Sequence, residues 1–316
     1  MQTSASFPLL RQKGFSLVEL MVSLVLGGLI IAAVGTVYLG SRQSFRTQDA
    51  MARMQEGARY AFETVAYDVR QVGFGCESVN TNPVDATWYK NLFKQPLLGY
   101  ESGSGLPASV TGEIANTDAF MVLRADKARE SRLTSATATA TAHGLSNGGW
   151  GVVTEAYSDA TVYQATAASG TSITLDAASA LPCKPGLPVV ATANYRLLPL
   201  SGHIYYIRNN GDGEPSLYRE TLLADGSSEA QELIEGVEDM EITYGEDTSQ
   251  ATVPECPDDI CSANTYVNAS GVTNWNRVVS VRVVLSMRTP ETGVSVGGDG
   301  RIRRSFTTTI AVRNRL

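Results

Sequence analysis

An uncharged run lies near the start of the chain. No acidic or basic residue occurs between Leu20 and Gly40, and counting from Phe15 the run is long enough to cross a membrane as a helix. Glu19 alone interrupts it. Because a carboxylate in lipid is costly unless something pairs with it, an acid at this position is a candidate functional residue. The pattern predicts the transmembrane half of an N-terminal helix over residues 15–40.

The helical pattern continues beyond residue 40 but becomes amphipathic. Apolar or small side chains recur every three or four positions, at Met51, Met54, Ala58, Ala61, Val65, Val69 and Val72. Charged residues fall off this stripe, and Glu56 and Arg59 are spaced to pair. Gly73-Phe74-Gly75 is typical of a helix end. We therefore predict an amphipathic helix over 41–73, whose stripe packs on a sheet of the same chain or, nearer the membrane, on neighbouring molecules.

Residues 74–316 are predicted to form a β-rich head. The clearest strands come late: Met240, Ile242 and Tyr244 alternate with polar residues, as do the apolar residues of 279–287, and Phe306, Ile310 and Val312 continue the pattern. The runs 203–208 and 216–220 flank Asn209–Gly213, which is a strong hairpin signal. An antiparallel sheet laid on the helix is the consistent assembly, so the predicted fold class is α+β.

The earlier part of the head is less regular. Residues 76–118 indicate an irregular crossover, 119–124 a buried strand, and 131–149 a loop or weak hairpin. Short β-prone runs follow at 150–157, 160–166, 171–176 and 189–197. Residues 131–200 are therefore a possible β-rich inserted subdomain.

The charge is unevenly distributed. The formal net charge is −7, but acidic residues dominate 74–275, whereas arginines dominate 276–316. This asymmetry suits charge-complementary packing between like subunits or unlike partners better than it suits nucleic acid. A solvated surface is a simpler explanation than any single partner.

The four cysteines, Cys76, Cys183, Cys256 and Cys261, all follow the apolar run, which fits an oxidising compartment. Three pairings are possible; the short loop favours Cys256 with Cys261, which leaves Cys76 for Cys183. The alternative is a zinc site, but the spacing is not CxxC and neither histidine lies near a cysteine pair.

The first residues of the apolar run carry a recognisable signature. A basic residue, Lys13, precedes Gly14 and Phe15, and Glu19 is the fifth residue after the glycine. This segment resembles the N-terminal signature of type IV pilins and their pseudopilin relatives. The resemblance implies that a prepilin peptidase cuts after Gly14, methylates Phe15 and leaves residues 1–14 behind as a leader peptide. It also implies that Glu19 pairs with the free amino terminus of a neighbouring subunit, which is the cation that a carboxylate in lipid lacks.

The large head indicates which pilins the chain resembles most. Residues 236–245 and the closing Arg313-Asn314-Arg315 are similar to the PilW minor pilins, and distantly to GspJ, the larger minor pseudopilin of type II secretion. This similarity implies an inner-membrane protein with a single span and a periplasmic head. Its partners would be other minor pilins, a pilus tip protein, the major pilin and the inner-membrane assembly platform, and it would prime filament assembly and sit at the pilus tip. No cofactor and no catalysis are expected.

One motif points to a different function. Gly144–Gly148 fits the GxSxG pattern around Ser146, and Asp176 and His203 follow in the order that a hydrolase uses. A nucleophile of this kind lies between a strand and a helix, whereas a Thr/Ala-rich run precedes Ser146 and nothing helical follows it. A membrane-anchored periplasmic hydrolase is therefore only a remote alternative.

Metal and nucleic-acid binding are not expected either. Asn209–Glu214 and Asp258-Asp259 gather oxygen donors, but without the spacing of an EF-hand, and turn chemistry explains them. Arg282, Arg301, Arg303 and Arg313 are basic, yet pairing with acids across strands accounts for them without DNA. The chain has no phosphate-binding loop, so the energy for assembly must come from a partner.

Overall fold

The computed structural model describes residues 14, 16–75, 95–133, 144–155, 159–169, 172–176, 181–182, 195–222, 228–249, 262–295 and 297–313. The four cysteines and Phe15 lie outside these residues. The predicted disulfides and the predicted new N-terminus therefore stay predictions.

The chain begins with one long helix, α1, which runs from Leu17 to Arg70 and contains 54 residues. At about 1.5 Å per residue it is roughly 80 Å long, far more than the ~30 Å hydrocarbon core of a bilayer. Among the described residues α1 is the one helix long and apolar enough to span a membrane, and its most apolar stretch has a mean hydropathy of 2.5 with no residue buried. The chain divides into two compact units, Met1–Met51 and Ala52–Leu316.

The helix ends three residues before its predicted limit and is followed by turns over 71–75. Gly73 and Gly75 have positive φ angles of 73° and 91°, which glycine adopts without strain. The amide of Gly73 donates to the carbonyl of Leu123 at 2.9 Å, and a Cβ on Gly75 would lie 2.6 Å from that of Ala125. The two glycines therefore allow the chain to leave the helix directly against the strand Ala119–Ala125.

A first, antiparallel sheet contains ten strands within the described residues. They are β1 (Leu97–Tyr100), β2 (Ala119–Ala125), β3 (Ser131–Leu133), β4 (Trp150–Glu155), β5 (Asp159–Ser169), β6 (Ser172–Leu175), β7 (Leu181–Pro182), β8 (Tyr195–Asn209), β9 (Pro215–Leu222) and β10 (Ser228–Glu235). The long strand β8 holds the sheet together. Its first half pairs with β3 and β4, and its second half pairs with β2 and β9. The described strands within residues 131–200, predicted as a possible insertion, thus belong to this sheet.

A second antiparallel sheet has the strand order β12-β11-β13-β14. Its strands are β11 (Val237–Glu246), β12 (Thr265–Val267), β13 (Val278–Arg288) and β14 (Arg303–Ala311). The predicted alternation is confirmed, because Met240, Ile242 and Tyr244 are all buried. In register, Leu285 lies opposite both Met240 and Phe306, so apolar side chains of three neighbouring strands share one face of the sheet.

The helix stripe packs against apolar residues of both sheets in one core. The buried stripe residues are Met54, Ala58, Ala61, Val65, Val69 and Val72. Phe120 and Tyr205 stack beneath them with ring centroids 5.0 Å apart. Burying a large apolar side chain contributes about 1.5–3 kcal/mol, so this core is the main stabilising element. The fold is α+β and pilin-like, with a long N-terminal helix followed by an antiparallel β-sheet head, as predicted.

Five of the described strands were not predicted, namely β1, β3, β7, β10 and β12. Residues 97–100 were expected within an irregular crossover but form β1, and residues 131–133 were expected in a loop or weak hairpin but form β3. Strand β10 carries mostly exposed polar side chains and is held by its pairing with β9. Each of these strands is defined by a long-range or neighbouring partner and not by its own periodicity.

Candidate functional site

The N-terminal end of α1 is open to its surroundings. Gly14 and Ser16 are exposed, and a Cβ on Gly14 would have nothing within 4 Å. Glu19 lies in the first helical turn, where its Oε2 accepts a hydrogen bond from the amide of Ser16 at 3.4 Å. A carboxylate is favoured there by the partial positive charge of the helix N-terminus. None of the described basic groups forms an ion pair with Glu19, and Arg11 and Lys13 lie outside the described residues.

Apolar side chains surround the helix over its first 23 residues or so, as expected of a segment in lipid. Val25, for example, is 62% exposed. The hydroxyls of Ser23 and Thr36 donate to the helix carbonyls of Glu19 and Ala33, at 2.7 Å and 2.8 Å. Polar groups in lipid must be satisfied internally, and these hydroxyls are.

The second part of α1 carries a buried carboxylate that the sequence reasoning missed. Asp68 is 1% exposed, and its two oxygens accept hydrogen bonds from Arg124 Nε at 3.3 Å and from the Tyr205 hydroxyl at 2.6 Å. The guanidinium of Arg124 also lies 5.3 Å from the centre of the Tyr67 ring. We call Asp68, Arg124 and Tyr205 the Asp68 cluster. It fixes the end of the helix to β2 and β8.

Tyr205, in this cluster, and His203, beside it, have displaced pKa values. Burial, reinforced by the nearby Asp68 carboxylate, raises the pKa of Tyr205 well above its usual value. Burial lowers the pKa of His203 to about 4, despite the opposing effect of Asp68. The imidazole is therefore neutral at pH 7.

A polar cleft of about 340 Å³ opens next to the Asp68 cluster. Its lining, which defines the head cleft below, includes Arg124, Asp126, Arg129, Ser146, Ser201, His203, Arg219 and Thr221. The fold thus brings Ser146 and His203, two of the three residues of the remote hydrolase alternative, to one cavity.

The geometry around these two residues does not match a hydrolase. Ser146 is followed by a turn and then by strand β4, where a nucleophile elbow needs a helix. His203 Nε2 lies 3.0 Å from Ser201 Oγ and 3.9 Å from Asp68 Oδ2, and His203 Nδ1 lies 3.3 Å from Thr221 Oγ1. Both ring nitrogens therefore face groups other than Ser146 and Asp176, whereas in a catalytic triad the nucleophile and the acid bind the two nitrogens of the histidine. Asp176 is not in the lining, and its amide donates to Gln164.

The oxygen-rich hairpin at 209–214 is explained by turn chemistry. The side-chain oxygen of Asn210 accepts from the amides of Asp212 and Glu214, both at 3.0 Å. The Glu214 carboxylate is bound by Arg301 at 2.6 Å and Arg288 at 2.8 Å. Hydrogen bonding from Arg301 accordingly lowers the pKa of Glu214. Asp258-Asp259 lies outside the described residues, within which no three His, Cys, Asp or Glu side chains group as metal ligands.

Two family models match the chain. The model of the type IV pilus-assembly protein W, PilW, matches residues 204–314, and the model of the prokaryotic N-terminal methylation motif matches residues 9–35. The chain matches a PilW-like type IV pilin. No curated protein and no solved structure matches it significantly.

The two matched regions correspond to the two ends of the structure. The methylation motif covers Gly14, Glu19 and the apolar part of α1, which together indicate membrane anchoring. The PilW-like region begins within β8 and includes β9 to β14, hence the whole second sheet. The predicted resemblance is confirmed at both ends, and a pilin-type protein has a structural role.

Within the PilW-like region, the arginines were expected to pair across strands. Arg303 does so, with Glu238 at 2.9 Å and Asp299 at 2.7 Å, and Arg301 binds Glu214. For Arg282 the expectation was wrong. Arg282 faces threonines on both neighbouring strands, Thr243 and Thr309, and its guanidinium lies 4.1 Å from the centre of the Tyr266 ring.

Proposed function

We propose that the chain is a minor pilin that assembles with other minor pilins to prime and cap type IV pilus assembly. The observation that carries the proposal is the joint match to the methylation motif at residues 9–35 and to PilW at residues 204–314. The alternative is a GspJ-like minor pseudopilin of type II secretion.

Processing is the first step of the proposed function. A prepilin peptidase would remove residues 1–14 by cutting after Gly14, and methylation would follow at Phe15. The exposure of Gly14 and the open space around it support access by such an enzyme. The domains would then be a transmembrane half-helix over 15–40, an amphipathic half over 41–73 and a head over 74–316, with 131–200 as a possible insertion.

Assembly would depend on Glu19. Its carboxylate lies in the membrane-spanning part of α1 and has no described cationic partner, so leaving it in lipid is unfavourable. The amino terminus of a neighbouring processed subunit would supply the missing positive charge. Pairing would remove the cost of the isolated carboxylate, and assembly into a filament is therefore favoured over dispersal in the membrane.

The proposed function also implies a cellular location and a set of partners. The protein would lie in the inner membrane with its head in the periplasm, which is an oxidising compartment that suits the four cysteines. Other minor pilins, a tip protein and the major pilin would contact it, and an inner-membrane assembly platform would provide the energy.

The experiment compares Glu19→Ala with Glu63→Ala in cells that lack the native protein. Glu63 is an exposed acid on the amphipathic part of α1, so it is the matched control. We expect Glu19→Ala to be processed normally but to be reduced at least tenfold in sheared pili, and Glu63→Ala to resemble the native protein. Immunoblots of membranes and of sheared pili measure both steps.

Equal incorporation of the two variants would contradict the role of Glu19. Purification of the tagged native chain with its bound partners tests the pilus assignment itself. Recovery of other minor pilins is expected, whereas recovery of type II secretion pseudopilins alone would contradict it.

A further inference from the structure

Three arginines and one acid line the head cleft, and one of the arginines, Arg124, is buried. Arg124 is 7% exposed, and only its Nε is hydrogen-bonded, to Asp68. Its Nη1 lacks a hydrogen-bond partner within the described part of the chain, since Asp126 Oδ1 is 3.7 Å away. A buried guanidinium donor left unsatisfied costs free energy. The arrangement indicates an acceptor other than those that the described residues provide.

A second guanidinium shows the same feature. Arg219 lines the cleft from β9, and its Nη2 donates to Gln231 at 2.7 Å. Its Nε is buried and has no hydrogen-bond partner among the residues that the structure describes. Two arginines on different strands therefore border one cavity with donors to spare. Guanidinium groups match carboxylate and phosphate oxygens in planar, often bidentate geometry.

The charge balance decides between these two anions. Arg124, Arg129 and Arg219 contribute positive charge to the lining, and Asp126 contributes negative charge. Asp68, which does not line the cleft, adds a second negative charge through its ion pair with Arg124. His203 is neutral at pH 7, because burial lowers its pKa to about 4. These three arginines and two acids together have one positive charge in excess. A single carboxylate balances that charge, and a phosphate dianion would exceed it.

We propose that the head cleft binds a carboxylate group, held by the free donors of Arg124 and Arg219 and by the hydroxyls around them. Ser146, Ser201 and Thr221 supply these hydroxyls to the lining. The carboxylate belongs either to a small free acid or to an acidic side chain of another protein. The site lies on the helix-facing side of the first sheet and is separate from Glu19 and its role in assembly.

The test uses the full chain in an uncharged detergent, with histidine labelled for NMR. Sodium acetate replaces sodium chloride at constant ionic strength and pH 7, and the imidazole signal of His203 is followed. The signal is assigned from its loss in His203→Gln. We expect a saturable shift with acetate.

The matched variants are Arg219→Gln in the cleft and Arg304→Gln, which removes an exposed arginine from β14. Arg219 is partly exposed, so its replacement is less disruptive than that of Arg124. A charge-assisted hydrogen bond contributes about 1.5–3 kcal/mol, so Arg219→Gln should weaken acetate binding roughly tenfold or more. Arg304→Gln should leave it within about twofold of the native chain. An unsaturable shift, or equal binding by the two variants, would overturn the proposal.

Two further ligands identify the anion and its source. Phosphate should bind more weakly than acetate, and binding as tight as that of acetate would overturn the carboxylate assignment. Acetylated, amidated aspartate represents a protein side chain. Tighter binding than acetate supports a protein partner, and weaker binding supports a small free acid; either result is consistent with the carboxylate site.

Discussion

The two parts of α1 are continuous in backbone but differ in what surrounds them. Val25, in the first part, is 62% exposed, whereas Val69, in the second, is fully buried. The first part is apolar on every side and has one acid at its start. The second part has one apolar stripe and charged residues on its outer face, and Asp68 is buried on the side of the stripe.

This contrast shows that the sequence of one helix can suit two environments, lipid in its first part and the protein core of the head in its second. In lipid, side chains on all sides must be apolar, and hydroxyls must bond the helix backbone. Against the head, only the packed face needs to be apolar, and a buried acid is tolerated because Arg124 and Tyr205 bind it. Glu19 and Asp68 are both acids in apolar surroundings, but their partners differ in origin. The partner of Asp68 lies in the same chain, and we propose that the partner of Glu19 lies in another.

Placing a charge in the buried stripe should have the largest effect. Val69→Asp puts a second carboxylate beside Asp68 in a site without water, so it should lower the free energy of unfolding of the head by about 4 kcal/mol or more. Urea titration of the full chain in neutral detergent measures this change through the fluorescence of Trp275, which packs on Tyr244.

The same substitution at Val25 is the matched control. It should leave the urea midpoint of the head unchanged but reduce the fraction of protein that resists carbonate extraction, since an acid at mid-span costs about 3 kcal/mol of insertion free energy. If Val25→Asp also destabilised the head, the two parts of the helix would not be independent in the way described.

Breaking the Asp68 cluster should have the next largest effect. Asp68→Ala leaves the Arg124 guanidinium buried without its acid, so the free energy of unfolding should fall by about 3–4 kcal/mol. The double variant Asp68→Leu with Arg124→Met removes both charges and should recover most of that loss. Additive losses in the double variant would show that the two residues act separately.

The stability of the head should also depend on the protonation of His203. Its pKa is lowered from 6.5 to about 4 by burial, so below pH 6.5 the unfolded chain takes up a proton that the folded chain does not. Between pH 7 and pH 5 the free energy of unfolding should therefore fall by about 2 kcal/mol from this group. In His203→Gln that part of the pH dependence should disappear; an unchanged slope would assign it to other groups.

The smallest effect is expected on the outer face of the helix. The Glu56–Arg59 pair is 3.9 Å long and both side chains are mostly exposed. Arg59→Ala should change the free energy of unfolding by only about 0.3 kcal/mol. A loss above about 1 kcal/mol in the same urea titration would mean that this face also packs against something.

Local sequence patterns were sufficient to predict the elements that periodicity and turn residues specify. The helix stripe, the hairpin around Asn210 and the alternation of β11 and β13 were all predicted, because periodicity and turn residues specify them directly. The charged residues off the stripe were predicted to be exposed for the same reason, and they are.

What could not be predicted depends on distant partners. Asp68 is three residues from Val65 and four from Val72, so its position on the stripe was a signal of burial that went unused. Its partners, Arg124 and Tyr205, are 56 and 137 residues away, and no local pattern connects them. Strand β10 was missed because its side chains are mostly exposed and only pairing with β9 makes it a strand.

The intact mass of the chain purified from membranes tests the central claim most directly. The account predicts the mass of residues 15–316 with one added methyl group, and a fragment spectrum that begins at methylated Phe15. A mass that retains Met1, or a terminus other than Phe15, would contradict it, because Glu19 would then have no processed amino terminus to meet.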